Sequence, residues 1–299
     1  MKILKSGPLL IVIASVLWAL DGIIRRSLFT LPAITIVFYE HLIGAIILLP
    51  FVFKSFLKEK LTKKELLLLI AISLLSGLLG TLWFTTALLK TNYISFSVVF
   101  LLQKLQPLFA ISTAVIFLKE KISRKYLLWA GLALISAYFV TFKEGIVDFK
   151  ADINYITAAL YALGAAFAWG ASTTLSKIAL LKKPDTYVTA LRFIFTSFFA
   201  FITVFILQSQ ASLFAPSTSQ YLRFTFIAVS TGMVAVLIYY KGLKKTEVKV
   251  STILELTFPM LAIIIDAVLY KSFLSPIQIF SASVLMYSMY KVSHLRNNR

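Results

Sequence analysis

The segment LPAITIVFYEHLIG at residues 31–44 has a counterpart later in the chain, KPDTYVTALRFIFT at residues 183–196. An offset of 152 residues aligns the two segments and places Pro32 on Pro184. The same offset aligns further proline and polar positions, namely Glu40 with Arg192, Gln103 with Glu255, Pro107 with Pro259 and Lys119 with Lys271. An offset of 151 aligns Trp18 with Trp169 and Arg26 with Lys177. Self-similarity at one long period indicates that the chain contains two copies of one structural unit.

The composition identifies the solvent in which these copies fold. Of the 299 residues, 60% are hydrophobic and 14% are charged, and the mean hydropathy is +0.90. A typical soluble domain carries about 25% charged residues. Apolar stretches that are long enough to cross a bilayer core of about 30 Å as helices recur along the whole chain. Ten such spans are predicted, at residues 8–27, 32–53, 66–89, 93–118, 126–142, 153–176, 184–207, 221–240, 250–270 and 275–292. The sequence therefore predicts an all-α integral membrane protein.

The repeat and the spans together predict the architecture. Each copy contains five spans, so the first unit occupies residues 1–145 and the second occupies residues 146–299, with the polar segment KEGIVDFKAD as the linker. Because five is an odd number, the second copy must enter the membrane in the opposite orientation. The predicted fold is therefore two inverted five-helix repeats related by a two-fold axis in the membrane plane, a construction found in many secondary transporters.

The basic residues are distributed unequally between the two sides of the membrane. The net charge is +18, and with a cytoplasmic N-terminus the inward segments carry 21 basic residues while the opposite segments carry 7. An excess of lysine and arginine in short cytoplasmic loops is the positive-inside signal. We therefore expect a protein of the cytoplasmic membrane with both termini in the cytoplasm. The excess charge is explained by topology and by contact with anionic lipids, and no nucleic-acid partner is expected.

Several motifs resemble those of a known family. The first span of each half has a tryptophan followed by small or polar residues, WALDG and WGAST, the seventh span carries the arginine of TALRFIFTSFFAF, and the fourth ends in QPLFAISTAVIFLKEKIS. In these features the chain resembles the ten-span EamA-like branch of the drug/metabolite transporter superfamily. The resemblance implies a secondary transporter, with export of amino acids or other metabolites as the commonest activity. Ser272 stands where the first half has Glu120, and Glu40 and His41 stand where an arginine is common, so the resemblance does not identify the substrate.

The stretch FLLQKLQPLFA places polar residues inside the fourth apolar span. Gln103, Gln106 and Pro107 share one helix face, and Lys104 lies at its margin. Pro107 has no N–H to donate to the carbonyl of Gln103, so the helix is loosened there. Ionisable groups inside spans are costly and usually face a cavity or a partner. We therefore predict that this face lines the translocation cavity and that Glu255 of the ninth span pairs with Lys104. A purely structural ion pair is the alternative.

Charge and aromatic character select the other candidate residues. The predicted substrate-binding set is Trp18, Trp83, Gln103, Lys104, Gln106, Trp169, Arg192, Tyr239 and Glu255. The aromatic members could line a pocket for a flat solute, or they could belong to interface belts and ordinary packing, and Arg192 could snorkel to the surface. Glu40 and His41 are predicted to exchange protons and so to couple transport to them. Asp21 and Arg25 are expected to form a solvated ion pair near the outer interface.

The sequence lacks the motifs of enzymes and of nucleotide-driven pumps. It has no cysteine and two histidines, and it contains no HExxH, GxSxG, Walker A or GxGxxG pattern. No catalytic activity, cofactor or metal is therefore predicted. The predicted function is alternating-access transport, with export the favoured direction, of a small amino-acid-like or amphipathic solute by a monomer surrounded by membrane lipids. A lipid-handling scaffold or flippase subunit is the alternative, and an intramembrane enzyme comes third.

Labelling of single cysteines tests the predicted topology. The chain has no native cysteine, so Lys58→Cys and Ser217→Cys each introduce a unique thiol. Five predicted spans separate these positions. We therefore expect a membrane-impermeant thiol reagent to reach Lys58→Cys only from the cytoplasmic side and Ser217→Cys only from the opposite side. Reaction of both thiols from the same side would contradict the topology.

Overall fold

The computed structural model describes residues 6–90, 99, 102–103, 105–141, 153–269 and 274–295, and all regular structure within them is helical. The predicted all-α class is therefore confirmed. The helices of the first half are α1 (Gly7–Arg26), α2 (Ala33–Lys58), α3 (Lys63–Ile72), a π-helical stretch (Ser73–Gly80), α4 (Thr81–Leu89), α5 (Gln106–Leu118) and α6 (Arg124–Thr141). Those of the second half are α7 (Ile153–Lys182), α8 (Asp185–Ile206), a 3-10 turn (Gln210–Leu213), α9 (Thr218–Val229), α10 (Met233–Leu243), α11 (Val248–Leu254), α12 (Thr257–Leu269) and α13 (Pro276–His294).

Each predicted span contains helix in the described residues, but the helices differ in their suitability for crossing a bilayer. Among the described residues, five helical segments are both long enough and apolar enough to cross it, namely Ala33–Lys58, Lys63–Leu89, Ile156–Lys182, Asp185–Ile206 and Thr218–Leu243. Gly7–Asp21 and Gln106–Leu118 are apolar but shorter. The total of ten spans therefore stays a prediction.

The matched prolines of the two halves mark the same helix start. Pro32 precedes α2 with φ −56° and ψ 143°, and Pro184 precedes α8 with φ −60° and ψ 141°. Proline favours this position because its fixed φ suits the entry to a helix and its missing N–H is not needed there. The two halves therefore share this proline-marked helix start in the structure as well as in the sequence.

Contacts between the two halves occur in reciprocal pairs. Helix α2 packs against α8, and α6 packs against α13, so each of these helices meets its own counterpart. Helix α5 packs against α7 as α12 packs against α1, and α4 packs against α7 as α10 packs against α1. Exchanging the halves leaves this pattern unchanged, as a two-fold axis between repeats requires.

The third and eighth predicted spans both depart from α-helical geometry at matching positions. The π-helical stretch Ser73–Gly80 corresponds, at the offset of 152 residues, to residues 225–232. In that interval α9 ends at Val229, and α10 begins only at Met233. Departures of this kind are frequent at functional sites because they free backbone groups and redirect side chains.

The outer surface of the bundle is rich in large apolar side chains. Exposed examples from both halves are Phe51, Leu57, Leu128, Leu160, Phe201, Phe226 and Phe280. A soluble monomer rarely exposes apolar surface on this scale. This surface and the apolar rods together are those of a multi-pass membrane protein.

Gly170 marks a close approach of α7 to α5, and its replacement tests that packing. A Cβ at Gly170 would lie 2.8 Å from the carbonyl oxygen of Gln106 and 3.0 Å from the amide nitrogen of Ala110. Because backbone cannot move aside easily, Gly170→Ala should destabilise the protein by about 1–3 kcal/mol. Gly131→Ala in α6 is the matched control, since nothing lies within 4 Å of its added methyl group. Thermal unfolding in detergent measures both variants, and equal midpoints would contradict the close packing.

Candidate functional site

A cavity of about 190 Å³ lies between helices of both halves. Nine of the eleven predicted site residues line it, namely Trp18, Glu40, His41, Gln103, Gln106, Trp169, Arg192, Tyr239 and Glu255. These residues are far apart in the sequence and come from α1, α2, the start of α5, α7, α8, α10 and the junction of α11 with α12. The fold therefore gathers the polar and aromatic residues of its spans around one central space.

Trp83 and Lys104 are the two predicted residues outside this group. The ring of Trp83 lies against α7, where a Cβ at Gly164 would be 2.9 Å from its Cε3 atom. The lining face of α4 carries Thr81, Phe84, Thr85 and Leu88. That spacing defines one helix face, and Trp83 lies off it. Lys104 lies outside the described residues, so its pairing with Glu255 stays a prediction.

The carboxylate of Glu255 lies in the junction between α11 and α12. It accepts hydrogen bonds from Gln106 Nε2 at 2.8 Å, from the Tyr239 hydroxyl at 2.7 Å and from Ser251 Oγ at 3.3 Å. The helix is interrupted here because Pro259 has no N–H to donate to the Glu255 carbonyl. These contacts join the fourth span to the eighth and ninth spans through one partly buried carboxylate.

A second polar group joins α1, α2 and the break between α9 and α10. Arg25 Nε lies 2.5 Å from Asp21 Oδ2, and Arg25 Nη2 lies 2.9 Å from Glu40 Oε2. The other oxygen of Asp21 accepts a hydrogen bond from Thr231 Oγ1. The expected ion pair of Asp21 with Arg25 is therefore present, but Arg25 is only 5% exposed, so the expectation that the pair is solvated is wrong. Helix α2 and the helix break cover the pair, and neither could be placed against α1 from the sequence.

Arg192 is buried and does not snorkel to the surface. It is 8% exposed, its Nη1 donates to the Tyr240 hydroxyl at 3.1 Å, and its guanidinium carbon lies 5.6 Å from the centre of the Tyr240 ring. Ser176 Oγ lies 2.9 Å from the same hydroxyl. Arg192 makes no ion pair among the described residues. It therefore presents a cation at the cavity wall that no carboxylate of the described residues contacts directly.

Glu40 and His41 both line the cavity, although they are neighbours in α2. His41 Nδ1 lies 2.9 Å from the carbonyl oxygen of Val37, and its ring centre lies 4.9 Å from that of Phe193. Glu40 is held by Arg25. No group of three histidine, aspartate or glutamate side chains that could hold a metal occurs within the described ranges.

Aromatic side chains form two walls of the cavity. Trp18 of α1 meets Tyr239 of α10 with ring centres 5.1 Å apart, and Phe84 of α4 meets Trp169 of α7 at 5.2 Å. The indole N–H of Trp169 donates to the carbonyl of Ser76 in the π-helical stretch at 3.1 Å. The two tryptophans that align between the halves thus occupy comparable positions on the two sides of one space.

Sequence reasoning missed several lining residues, namely Asp21, Arg25, Phe84, Thr173, Thr231 and Phe258. For Thr231 a signal was present, because STG at residues 230–232 is a small polar cluster inside an apolar span. For Phe84 and Phe258 no signal separates a cavity-facing phenylalanine from the many that face lipid or the core.

Removal of the Arg25 guanidinium tests the buried network. Arg25→Gln leaves the carboxylates of Asp21 and Glu40 buried without a cation, so the free energy of unfolding should fall by about 3–5 kcal/mol. Adding Asp21→Asn and Glu40→Gln should recover part of this loss, because no charge then stays unpaired. Arg124→Gln, at an exposed arginine that begins α6, is the control and should leave the unfolding midpoint unchanged. A midpoint for Arg25→Gln equal to that of the control would contradict the network.

Comparisons with known proteins agree with this architecture. A model of the EamA-like transporter family matches the chain twice, over residues 5–142 and 156–293. The riboflavin transporter ImpX of Fusobacterium nucleatum subsp. nucleatum is 37% identical over 293 residues, which make up 97% of this chain and 98% of that protein. A solved structure at 17% identity superposes over 95% of each chain with a TM-score of 0.74, which supports the fold alone. The chain therefore belongs to the EamA-like transporter family and is a membrane transporter of small metabolites rather than an enzyme.

Proposed function

We propose that this protein transports riboflavin or a closely related flavin through the central cavity. The observation that carries the proposal is the 37% identity, over almost the full length of both chains, to a protein named as a riboflavin transporter. The proposal narrows the amphipathic solute expected from the sequence to one with a flat aromatic ring and a polar chain.

The composition of the cavity wall supports a solute of this kind. Trp18, Phe84, Trp169 and Tyr239 offer flat apolar surfaces, and aromatic rings stack favourably on one another. Ligand pockets are typically apolar with a small number of placed polar groups. The charges of Arg25, Asp21 and Glu40 are already paired with one another, so they do not call for a charged solute.

A zwitterionic amino acid is the second candidate. One observation favours it, namely that Arg192 and Glu255 make no ion pairs with each other or with other described residues. A carboxylate and an ammonium group could bind to them. The lipid-handling alternative has no comparable support, because the lining groups are arranged around a cavity between the halves.

Transport in reconstituted vesicles tests the proposed function. Vesicles that contain the purified protein should accumulate or release riboflavin faster than protein-free vesicles, and excess unlabelled riboflavin should compete while a mixture of amino acids should not. Trp18→Ala should reduce the rate at least several-fold because it removes one stacking surface, whereas Arg124→Gln should not. Competition by amino acids without competition by riboflavin would favour the second candidate.

The same vesicles address direction and coupling. We propose export across the cytoplasmic membrane, with both termini in the cytoplasm, and coupling to protons through Glu40 and His41. If this is correct, an imposed pH gradient should drive concentrative movement by the native protein and not by Glu40→Gln combined with His41→Asn. A double variant that still concentrates riboflavin in response to the gradient would assign coupling to other groups.

A further inference from the structure

Five polar atoms of cavity-lining residues have no hydrogen-bond partner among the described residues, namely Arg25 Nη1, Arg192 Nε, Gln103 Oε1, Thr85 Oγ1 and Thr252 Oγ1. All five belong to residues that are at least nine-tenths buried, and the three with the longest side chains, Arg25, Arg192 and Gln103, are 5%, 8% and 9% exposed. A buried polar group without a partner is unfavourable, and more so when it is charged. Five such atoms around one cavity are therefore available to form hydrogen bonds with a bound solute.

We propose that the flavin binds in one orientation, with the carbonyl-bearing edge of its ring at Arg192 and its ribityl hydroxyls at Glu255, Gln103 and Gln106. This inference rests on the proposed function and adds to it the residues that recognise each end of the solute.

The Arg192 end of the cavity offers hydrogen-bond donors. A guanidinium can only donate, and among its described contacts Arg192 uses Nη1 for the Tyr240 hydroxyl and leaves Nε free. Arg25 likewise has a free Nη1 after binding Asp21 and Glu40. Free donors suit the two carbonyl oxygens and the unprotonated nitrogens of the ring, which are acceptors, while the N–H between the two carbonyls is a donor and does not bind to a guanidinium.

The Glu255 end offers acceptors. A carboxylate has more acceptor sites than the three hydrogen bonds that Glu255 receives from Gln106, Tyr239 and Ser251. Gln103, which lies three residues before Gln106, leaves its side-chain oxygen free. Free acceptors suit the hydroxyl groups of a ribityl chain, because each hydroxyl can donate. A phosphate at the end of that chain would instead meet a carboxylate and be repelled.

Two consecutive tyrosines hold these ends apart. Tyr240 binds Arg192, and Tyr239 binds Glu255, with their ring centres 6.0 Å apart on α10. The Tyr239 ring also meets Trp18, so an aromatic surface adjoins the acceptor end. The donor and acceptor ends thus belong to one cavity but to different sides of one helix, and this arrangement gives a bound solute a direction.

Binding of three flavins to purified protein tests the orientation. Riboflavin carries both ends, lumiflavin has a methyl group in place of the ribityl chain, and flavin mononucleotide adds a phosphate to that chain. Dissociation constants follow from quenching of flavin fluorescence in detergent. Arg192→Gln removes the ring-edge donor, Glu255→Gln removes the carboxylate at the chain end, and Arg124→Gln is the control. Size-exclusion profiles and unfolding midpoints establish that each variant is folded, and Arg192→Lys, which keeps the charge, replaces Arg192→Gln if the latter is not.

The proposal predicts a specific pattern of losses. Arg192→Gln should raise the Kd for riboflavin and lumiflavin by the same factor, about 10–100-fold, as expected for a lost charged hydrogen bond. If Arg192→Lys is used, the two factors should again be equal but smaller. Glu255→Gln should raise the Kd for riboflavin about tenfold and leave the Kd for lumiflavin unchanged. Flavin mononucleotide should bind the native protein more weakly than riboflavin, and Glu255→Gln should reduce that difference.

Other results would contradict either the orientation or the proposed function. If the loss at Arg192 appears for riboflavin but not for lumiflavin, Arg192 recognises the chain and the orientation is reversed. If flavin mononucleotide binds more tightly than riboflavin, and its Kd rises most in the Arg192 variant, Arg192 binds the phosphate instead of the ring edge. If the native protein binds none of the three, the proposed function fails and the orientation fails with it. If the native protein binds riboflavin and neither substitution changes the Kd, the proposed orientation is wrong but the proposed function is not contradicted.

Discussion

A charge that is held away from water must find its partner inside the protein, and the guanidinium of Arg25 meets this requirement by joining separate parts of the bundle. It binds Asp21 on its own helix and Glu40 on α2, while Asp21 accepts a hydrogen bond from Thr231 at the break between α9 and α10. Helix α1 cannot slide along α2 without separating two buried charges. The same helix carries Trp18, so one aromatic wall of the cavity depends on this contact.

The two halves share a fold but differ in chemistry at equivalent positions. Glu40 corresponds to Arg192 at the offset of 152 residues, and Lys177 corresponds to Arg26, the neighbour of Arg25, at the offset of 151. Among the described residues Lys177 makes no ion pair with a carboxylate, and its ammonium group donates to the carbonyl oxygens of Leu243, Lys244 and Thr246 at the end of α10.

A further contact secures the region around Lys177. Glu120 accepts hydrogen bonds from the amides of Val248 and Lys249 at the start of α11, and burial raises the pKa of this carboxyl. In an inverted repeat, equivalent positions lie at opposite ends of the bundle. The region of Arg25 is therefore held by a buried ion pair, whereas the region of Lys177 is held by hydrogen bonds between side chains and backbone, so the states that open towards each side need not have equal free energy.

Much of the site follows from the sequence because the cost of burying polar groups in a bilayer restricts where they can point. Gln103, Gln106, Arg192 and Glu255 stand out as polar residues in apolar spans, and all four line the cavity. The face of α4 could not be predicted in the same way. The π-helical stretch Ser73–Gly80 changes the angular phase of the residues that follow, so a regular period of 3.6 gives no reliable position for Trp83.

The burial of the ion pair between Asp21 and Arg25 could not be predicted from the sequence either. Asp21 and Arg25 lie near the end of an apolar span, where a charged pair usually reaches water. They are covered by a helix break at Thr231, which lies 210 residues after Asp21 in the sequence. Only the packing of the second half against the first brings the two regions together, and no local pattern encodes it.

We propose that the solute binds between the two repeats, against the paired aromatic residues of α1, α4, α7 and α10. A structure of the protein determined with riboflavin present is the decisive measurement. We expect a planar ring in the cavity, in contact with Trp18 or Trp169, with its carbonyl edge within hydrogen-bond distance of Arg192 and its chain near Glu255. A flavin bound outside the cavity, or a cavity that stays empty at saturating riboflavin, would contradict it.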